Sequence, residues 1–95
     1  MKPKPKPITD YIFTDHARLE ILRRGLSEEM VRAILLAPEQ RIEVRPGRDV
    51  LQSKISSEQP GKAFLIRVFV DIDRHPAEVI TVYRTSKIQK YWRKP

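Results

Sequence analysis

The spacing of apolar residues changes at Pro38, and this change constrains the fold more than any other feature of the sequence. Before Pro38, apolar residues such as Met30, Val31, Ile34 and Leu35 recur every three or four positions, which is the period of an amphipathic helix. After Pro38 they alternate with polar residues, which is the period of a half-buried strand. A helical first part followed by a sheet predicts an α+β fold.

Two short helices are expected in the first part. Thr14 is a suitable N-cap for the first helix, and residues 23–25 (Arg-Arg-Gly) form a basic last turn that ends at a glycine. Ser27 then caps the second helix, which ends at Pro38 because proline lacks the backbone donor that would continue it. Since few residues separate the two helices, the chain must turn back sharply and give them a shared apolar face.

The alternation after the second helix predicts an antiparallel sheet of about four strands. Strand-like segments cover residues 41–45, 50–56, 63–73 and 78–85, with turns of Pro, Gly and Asp between them. Their short connections favour antiparallel pairing, because a parallel pair needs a crossover of about a dozen residues or more. The two N-terminal helices would pack on one face of this sheet. Residues 86–92 fit either one helical turn or an extension of the sheet edge.

The opposite face of the sheet is expected to stay partly open. Strict alternation puts Arg67, Phe69, Thr81 and Tyr83 on that face. A cation, aromatic rings and hydroxyl groups together suit a ligand site, so we look for function there. Arg84 falls on the predicted core face, which implies either a bulge in the last strand or a position at the strand end.

The positive charge of the chain is concentrated at its two ends. The chain has 95 residues, enough for one domain, and a net charge of +7. Residues 1–9 form a basic Lys/Pro tail that we expect to be disordered, and residues 10–95 are expected to form the single α+β domain. Acidic and basic residues balance between positions 7 and 86, so the excess lies outside them. Such ends attract RNA or another polyanion, unless they serve solubility alone.

Composition excludes several classes of protein. The absence of cysteine excludes a disulfide scaffold and any thiolate metal site. No apolar run approaches the roughly 20 residues that span a bilayer, and no apolar signal segment follows the basic N terminus. We therefore expect a cytoplasmic protein with no membrane partner. The sequence leaves its oligomeric state open.

Several stretches of the sequence resemble one known family. They are residues 13–18 (Phe-Thr-Asp-His-Ala-Arg), residues 23–27 (Arg-Arg-Gly-Leu-Ser) and residues 79–88 (Val-Ile-Thr-Val-Tyr-Arg-Thr-Ser-Lys-Ile), with Val31 and Pro38 between them. Together they resemble the bacterial and archaeal family called domain of unknown function 4258. The resemblance extends over residues 11–91, nearly the whole chain.

What the resemblance implies is a toxin-like protein. The family is similar to the compact RelE/ParE-like toxins, including the BrnT-like toxins, in having two N-terminal helices followed by an antiparallel sheet. Many of those toxins are metal-independent ribonucleases that pair with an antitoxin. The resemblance thus implies an RNA-binding domain with metal-independent endoribonuclease activity, no cofactor, and an antitoxin protein as a second partner. The charge-balanced body departs from the basic character of many such toxins.

Two other functions stay open at this point. The same fold would serve as a non-catalytic module that binds nucleic acid or protein. It would also serve as a gyrase-directed toxin of the ParE type, which acts by protein contact. Convergence of His16, Arg67 and Tyr83 on one cleft would favour catalysis, whereas their separation would favour the binding module.

Four residues are candidates for catalysis. His16 lies in the first turn of the predicted first helix, where a neutral imidazole would act as general base on a ribose 2′-hydroxyl. Tyr83 is a second candidate for moving the proton. Arg67 and Arg84 would grip a phosphate and stabilise the charge that builds on it in the transition state. Each also has an ordinary structural interpretation, as a helix-start histidine, solvated arginines and a half-buried tyrosine.

The C-terminal residues are candidates for binding nucleic acid. Lys87, Lys90 and Arg93 would neutralise phosphates, and Tyr91 would stack on an unpaired base. Trp92 is either a further platform for a base or an aromatic side chain that docks on its own domain.

A metal site is the weakest of the candidates. The pattern Asp71-x-Asp73-x-His75, with Asp15 as a further ligand, would supply oxygen and nitrogen donors. Acidic residues entering a turn are common, however, so we expect no metal. The sequence also contains no glycine-rich phosphate loop and no nucleophile elbow.

Overall fold

The computed structural model describes residues 4–57, 59 and 61–94. Within these ranges the chain forms five strands and three helices. In chain order they are β1 (Tyr11–Phe13), α1 (Asp15–Arg23), α2 (Glu28–Leu36), β2 (Gln40–Arg45), β3 (Arg48–Ser56), β4 (Ala63–Asp71), β5 (Ala77–Thr85) and α3 (Ile88–Tyr91).

The ends of the first two helices follow the predicted capping residues. The Thr14 side chain accepts a hydrogen bond from the backbone N–H of Ala17, and the Ser27 side chain accepts one from that of Met30. Gly25 follows α1 with a φ of 67°, a left-handed conformation that favours glycine. Among the described residues, no helix has the length and apolar character needed to cross a membrane.

The sheet has five strands in the order β1-β5-β4-β3-β2, not the four that were predicted. The four strands from β2 to β5 pair antiparallel, as expected. The additional strand, β1, pairs parallel with β5, with Tyr11 opposite Ala77 and Phe13 opposite Val79. Three residues are too short to show a period of two, so only the pairing itself identifies β1. The connection from β1 to β5 runs through both helices and the strands β2 to β4, so it is far longer than the minimum that a parallel pair needs.

A core forms between the two N-terminal helices and one face of the sheet. The helices contribute buried residues that include Ala17, Ile21, Val31 and Leu35. The sheet contributes residues that alternate along its strands, among them Leu51, Ile66, Val68, Val70, Val79 and Val82. This is the predicted α+β layering, with helices packed on one sheet face.

Arg84 avoids the core for one of the two reasons that the sequence offered, its position at the strand end. Phe69 pairs with Thr81 whereas Val70 pairs with Val79, so Ile80 is an extra residue that shifts the register of β5. Arg84 is also the penultimate residue of β5, and its side chain is exposed. The bulge lies before Val82, which remains in the core, and Arg84 shares the sheet face of Val82. The exposure of Arg84 therefore follows from its place at the end of the strand.

The sheet face opposite α1 and α2 is covered in part, in line with the expectation of a partly open face. Val50 and Leu65 on this face are almost fully buried. The Gln52 side chain, also on this face, is fully buried and donates to the backbone oxygen of Tyr91. Residues 86–92 thus contain a helical turn, α3, and the chain that follows it lies against the sheet. The fold has a second, smaller buried layer beneath its C-terminal segment.

The start of the chain is docked onto the domain from Lys6 onward. The backbone oxygen of Lys6 accepts a hydrogen bond from Arg41, and the backbone N–H of Ile8 donates to Leu35. Ile8 is 8% exposed and packs in the core, although the sequence analysis placed it in the tail. The folded domain therefore begins before residue 10. Residues 1–3 of the predicted tail lie outside the described residues.

Candidate functional site

Arg67 lies at the centre of the strongest candidate site, on the sheet face opposite α1 and α2. Its half-buried guanidinium donates from Nη1 to the phenol oxygen of Tyr83 at 2.6 Å, and from Nε to the amide oxygen of Gln52 at 2.9 Å. β4 carries Arg67, and the antiparallel register places Gln52 of β3 and Tyr83 of β5 directly beside it. The predicted neighbours Arg67 and Tyr83 are thus brought together.

Three aromatic rings surround the Arg67 guanidinium. Its central carbon lies 4.3 Å from the ring centroid of Tyr91, 5.3 Å from that of Phe69 and 5.6 Å from that of Tyr83. The rings of Phe69 and Tyr83 are stacked, with centroids 5.9 Å apart and planes 18° apart. Cation–π contacts hold the guanidinium in place. We call Gln52, Arg67, Phe69, Tyr83 and Tyr91 the Arg67 cluster.

The two tyrosines of the Arg67 cluster have shifted pKa values of opposite sign. Burial raises the pKa of Tyr83 above its ordinary value, against the opposing effect of the hydrogen bond from Arg67. Interaction with the phenol of Tyr83 lowers the pKa of Tyr91, and the positive charges of Lys90 and Arg67 add to this effect. Two adjacent acids whose pKa values are pushed apart are suited to complementary roles in proton transfer.

Hydrogen bonds to the sheet hold the C-terminal segment in place. Gln52 donates from Nε2 to the side-chain oxygen of Gln40 at 2.7 Å and to the backbone oxygen of Tyr91 at 3.1 Å. Gln40 also binds the backbone of Arg93, donating to its oxygen at 2.6 Å and accepting from its N–H at 3.1 Å. These bonds position the Tyr91 ring over Arg67. The Arg93 side chain is exposed at this edge.

Positive side chains flank the cluster at the end of β5 and on α3. Lys87 and Lys90 are exposed and line a cavity of 470 Å³ formed by residues 86–90. Lys54, on β3, lies 4.0 Å from the ring centroid of the half-buried Trp92. Trp92 therefore docks on its own domain, which was one of the two interpretations of this residue.

Three arginines line a separate cavity of 310 Å³ beside the Arg67 cluster. They are Arg23 and Arg24 at the end of α1, and Arg84 near the end of β5. The Arg24 guanidinium lies 5.8 Å from the ring centroid of Tyr83, which connects this cavity to the cluster. Arg84 was predicted as a site residue, whereas Arg23 and Arg24 were assigned only to a helix end. The available signal was the adjacent pair Arg23-Arg24 itself.

His16 does not join the Arg67 cluster. It is exposed in the first turn of α1, whose buried residues Ala17 and Ile21 pack on the sheet face with Val79 and Val82. Arg67 and Tyr83 point from the other face, because they alternate with those core residues. His16 and the Arg67 cluster therefore lie on separate surfaces of the domain.

In the pattern Asp71-x-Asp73-x-His75, the carboxylate of Asp71 forms an ion pair with Arg48. Arg48 donates to both carboxylate oxygens of Asp71, at 2.7 and 3.3 Å. Hydrogen bonding from Arg48 lowers the pKa of Asp71 below its ordinary value. Across residues 4–57, 59 and 61–94, no group of three or more His, Cys, Asp or Glu side chains is arranged to hold a metal ion.

Comparison with known proteins gives one family match. The model of the family described as "Domain of unknown function (DUF4258)" matches residues 13–84, which is most of the chain. Neither the curated proteins nor the solved structures contain a match to it. The matched region includes Arg67, Tyr83 and Arg84 and ends before Lys87 and Tyr91. The C-terminal part of the candidate site thus lies beyond the family match.

Proposed function

This chain belongs to the DUF4258 family, and we propose that it binds single-stranded RNA through the Arg67 cluster and the basic residues around it. The observation that carries this proposal is the half-buried Arg67 guanidinium enclosed by three aromatic rings. An ordinary surface arginine has no such enclosure.

The aromatic part of the surface is suited to unpaired bases. Tyr83 and Tyr91 are half-buried neighbours whose ring centroids lie 6.0 Å apart. Base–aromatic stacking contributes about 1–3 kcal/mol per base, and an arginine plane adds to it. Bases in a duplex are already stacked on one another and are not available in this way. The rings therefore favour a single strand over a double helix.

The cationic part of the surface is suited to phosphates. Many arginines elsewhere are already paired with acids, as Arg18 is with Glu28 and Arg48 with Asp71. Arg84, Lys87 and Lys90 form no ion pair within the described part of the chain. Their charge is therefore available for a polyanion, and neutralising several phosphates together releases counterions.

RNA is favoured over other polyanions by the sequence resemblance. The stretches at residues 13–18, 23–27 and 79–88 point to a family similar to the RelE/ParE-like toxins, many of which act on RNA. Two N-terminal helices packed on a largely antiparallel sheet fit that similarity. The similarity supports the choice of ligand, and the residues that would bind it are argued from the site alone.

A second candidate function is metal-independent cleavage of the bound strand, because two phenols lie beside the Arg67 guanidinium. In its deprotonated form, which the lowered pKa favours, the Tyr91 phenol oxygen would take the proton of a ribose 2′-hydroxyl, and the hydroxyl oxygen would form a bond to the adjacent phosphorus. Tyr83, which burial keeps protonated, would give its proton to the departing 5′-oxygen as that bond to phosphorus breaks. Arg67 would stabilise the negative charge on the phosphoryl oxygens.

The binding proposal is tested with a fluorescent uridine-rich RNA in EDTA, followed by fluorescence anisotropy. The Lys87→Gln, Lys90→Gln double variant removes two charges beside the cluster. The Arg45→Gln, Arg74→Gln variant removes two charges from exposed positions at the opposite end of the sheet. We expect an affinity loss of about tenfold or more in the first variant and less than about threefold in the second. Equal losses would refute this surface, and no binding by the unmodified protein would refute the function.

Cleavage is tested in the same mixtures by resolving the RNA on a gel. The Tyr91→Phe variant keeps the ring that stacks but removes the phenol oxygen that would accept a proton. We expect it to bind RNA within about twofold of the unmodified protein and to lose about tenfold or more in cleavage rate. If the unmodified protein binds but leaves the strand intact, the enzymatic candidate is wrong and the binding function stands.

A further inference from the structure

The cavity lined by Arg23, Arg24 and Arg84 has features of a dedicated anion site. It is an open depression of 310 Å³ on the surface, and the three residues that line it are all arginines. The lining residues come from two different elements, α1 and β5. Arginines in a last helical turn also complement the helix dipole, so the α1 pair alone would carry little weight. The third arginine, Arg84, comes from β5 and adds a positive charge that the helix dipole does not explain.

A buried carboxylate fixes two of the three arginines. Glu20, which is 7% exposed, accepts from Nη1 of Arg23 at 3.2 Å and from Nε of Arg24 at 3.1 Å. Each arginine keeps further N–H groups that Glu20 does not use, because a guanidinium has five. Donors held in place before the ligand arrives lose less conformational freedom on binding. Glu20 is thus a positioning residue for this cavity.

Arg84 completes the cavity from the other side. Its guanidinium lies 4.5 Å from the ring centroid of Phe64, which restrains the side chain without using its hydrogen-bond donors. No carboxylate of the described residues pairs with it. Three arginines and one carboxylate leave two positive charges in excess, which is the charge that a dianion neutralises.

The cavity adjoins the surface proposed above for RNA. Arg84 alternates with Tyr83 and lies on the sheet face that carries α1. Arg24 links the two faces beside β5, beyond the residues that pair with β1, with its guanidinium 5.8 Å from the ring centroid of Tyr83. Tyr83 belongs to the Arg67 cluster, so a strand stacked there would end or continue beside the three arginines. An anion in the cavity is therefore placed to be part of the same RNA molecule.

We infer that the cavity of Arg23, Arg24 and Arg84 binds the terminal phosphate of the RNA strand. This inference rests on the proposed function, because it takes RNA as the ligand of the adjoining surface. A terminal phosphomonoester carries a charge of about −1.5 to −2 at neutral pH, whereas an internal phosphodiester carries only one negative charge. A guanidinium can also donate two parallel hydrogen bonds to two oxygens of one phosphate. The charge excess of the cavity thus selects a strand end over an internal linkage.

The test compares one short single-stranded RNA sequence in three forms, with a 5′-phosphate, with a 3′-phosphate, or with hydroxyls at both ends. Affinities are measured by competition in fluorescence anisotropy. We expect one phosphorylated form to bind about tenfold or more tightly than the hydroxyl form, since charge-assisted hydrogen bonds are strong. The comparison of the 5′ and 3′ forms shows which end is held. Because the second pKa of a phosphomonoester is about 6, the preference should decline below that pH.

Matched arginine variants locate the site. Arg23→Gln and Arg84→Gln should each abolish most of the preference for the phosphorylated strand. Arg18→Gln is the control, because Arg18 is also an exposed α1 arginine in an ion pair, with Glu28. It should retain the preference in full. A preference that survives in Arg23→Gln and Arg84→Gln would overturn the assignment to this cavity.

Failure of this inference is distinguishable from failure of the proposed function. Equal affinity for all three RNA forms would overturn the terminal-phosphate site and leave RNA binding by the Arg67 cluster standing. Failure of every form to bind would overturn both. Circular dichroism and thermal unfolding of each variant would show whether a lost preference reflects a lost fold, and no large change is expected from substitutions at such exposed positions.

Discussion

Arg67 donates a hydrogen bond of 2.6 Å to the phenol oxygen of Tyr83 on the adjacent strand. A Tyr83→Phe substitution would remove this hydrogen bond and keep the ring that stacks on Phe69. Interaction with the Tyr83 phenol is also the main cause of the lowered pKa of Tyr91. We therefore expect the pKa of Tyr91 to rise toward its ordinary value of 10.0 in the variant. Carbon-13 NMR of the tyrosine rings across an alkaline titration measures this directly.

Tyr11→Phe is the control for that titration. Tyr11 lies on β1, away from the Arg67 cluster, and its ring packs edge-on against Phe13. The titration of Tyr91 should be unchanged in this variant. Loss of the bond from the charged Arg67 should also cost Tyr83→Phe about 2 kcal/mol of unfolding free energy. A Tyr91 titration that does not respond to Tyr83→Phe would show that the two phenols are independent.

Gln52 is predicted to be the residue that holds the C-terminal segment on the sheet. Its fully buried amide accepts from Arg67 and donates to Gln40 and to the Tyr91 backbone. Gln52→Leu keeps a side chain of similar size but leaves those three groups without this partner. We expect the unfolding free energy to fall by about 2–4 kcal/mol. Denaturant titration followed by circular dichroism measures the loss.

The same substitution should release the segment before the domain unfolds. Trp92 lies just after Tyr91 and contacts Lys54, so its fluorescence reports on docking of the segment. We expect a red shift of Trp92 emission in Gln52→Leu under native conditions. Gln89→Leu changes an exposed residue of α3 in the same chemical way. It should shift neither the emission nor, by more than about 0.5 kcal/mol, the stability. Equal effects of the two variants would contradict the role of Gln52.

The sheet faces were predictable because side-chain direction in a strand depends only on local alternation. The sequence placed Arg67, Phe69, Thr81 and Tyr83 on one face, and the register pairs Arg67 with Tyr83 and Phe69 with Thr81. The helix caps were predictable for a similar reason, since a cap needs only its neighbours in sequence. Local signals were sufficient for the helices and for the antiparallel strands.

Contacts between distant segments were not predictable from such signals. β1 is identified only by pairing with β5, far along the chain. Docking of α3 depends on the buried Gln52, which in sequence is one of several polar residues of β3. The position of Arg24 over Tyr83 depends on where α1 ends relative to β5. In each case the partner is chosen by three-dimensional packing, and periodicity carries no information about it.

The Arg48–Asp71 pair is predicted to control stability in acid. Hydrogen bonding from Arg48 lowers the pKa of Asp71 from its ordinary value of 3.8. A carboxyl group with a lowered pKa in the folded state stabilises the protein above its unfolded-state pKa. That contribution is lost as the pH falls from about 3.8 through the lower folded-state value. The unfolded chain then binds the proton more readily than the folded one does.

Asp71→Asn should therefore change the pH dependence as well as the stability. We expect it to cost about 2 kcal/mol at neutral pH, as for other hydrogen bonds to charged groups. The difference from the unmodified protein should shrink as the pH falls below 3.8. Asp10→Asn, at an exposed position, should reproduce neither effect. Thermal unfolding across this pH range measures both. A difference that stays constant with pH would show that Asp71 acts through packing and not through its charge.

We expect the salt dependence of RNA binding to measure how many phosphates the basic residues neutralise. For a single strand, the logarithm of the binding constant falls with the logarithm of salt concentration by about 0.7 for each phosphate neutralised. Lys87→Gln and Lys90→Gln should each make this slope shallower by about 0.7, and the double variant by about 1.4. Arg45→Gln, at the opposite end of the sheet, should leave the slope unchanged although it lowers the net charge equally. Anisotropy titrations over a salt series give the slopes. If all variants shared one slope, the ends of the chain would act through net charge alone, and Lys87 and Lys90 would touch no phosphate.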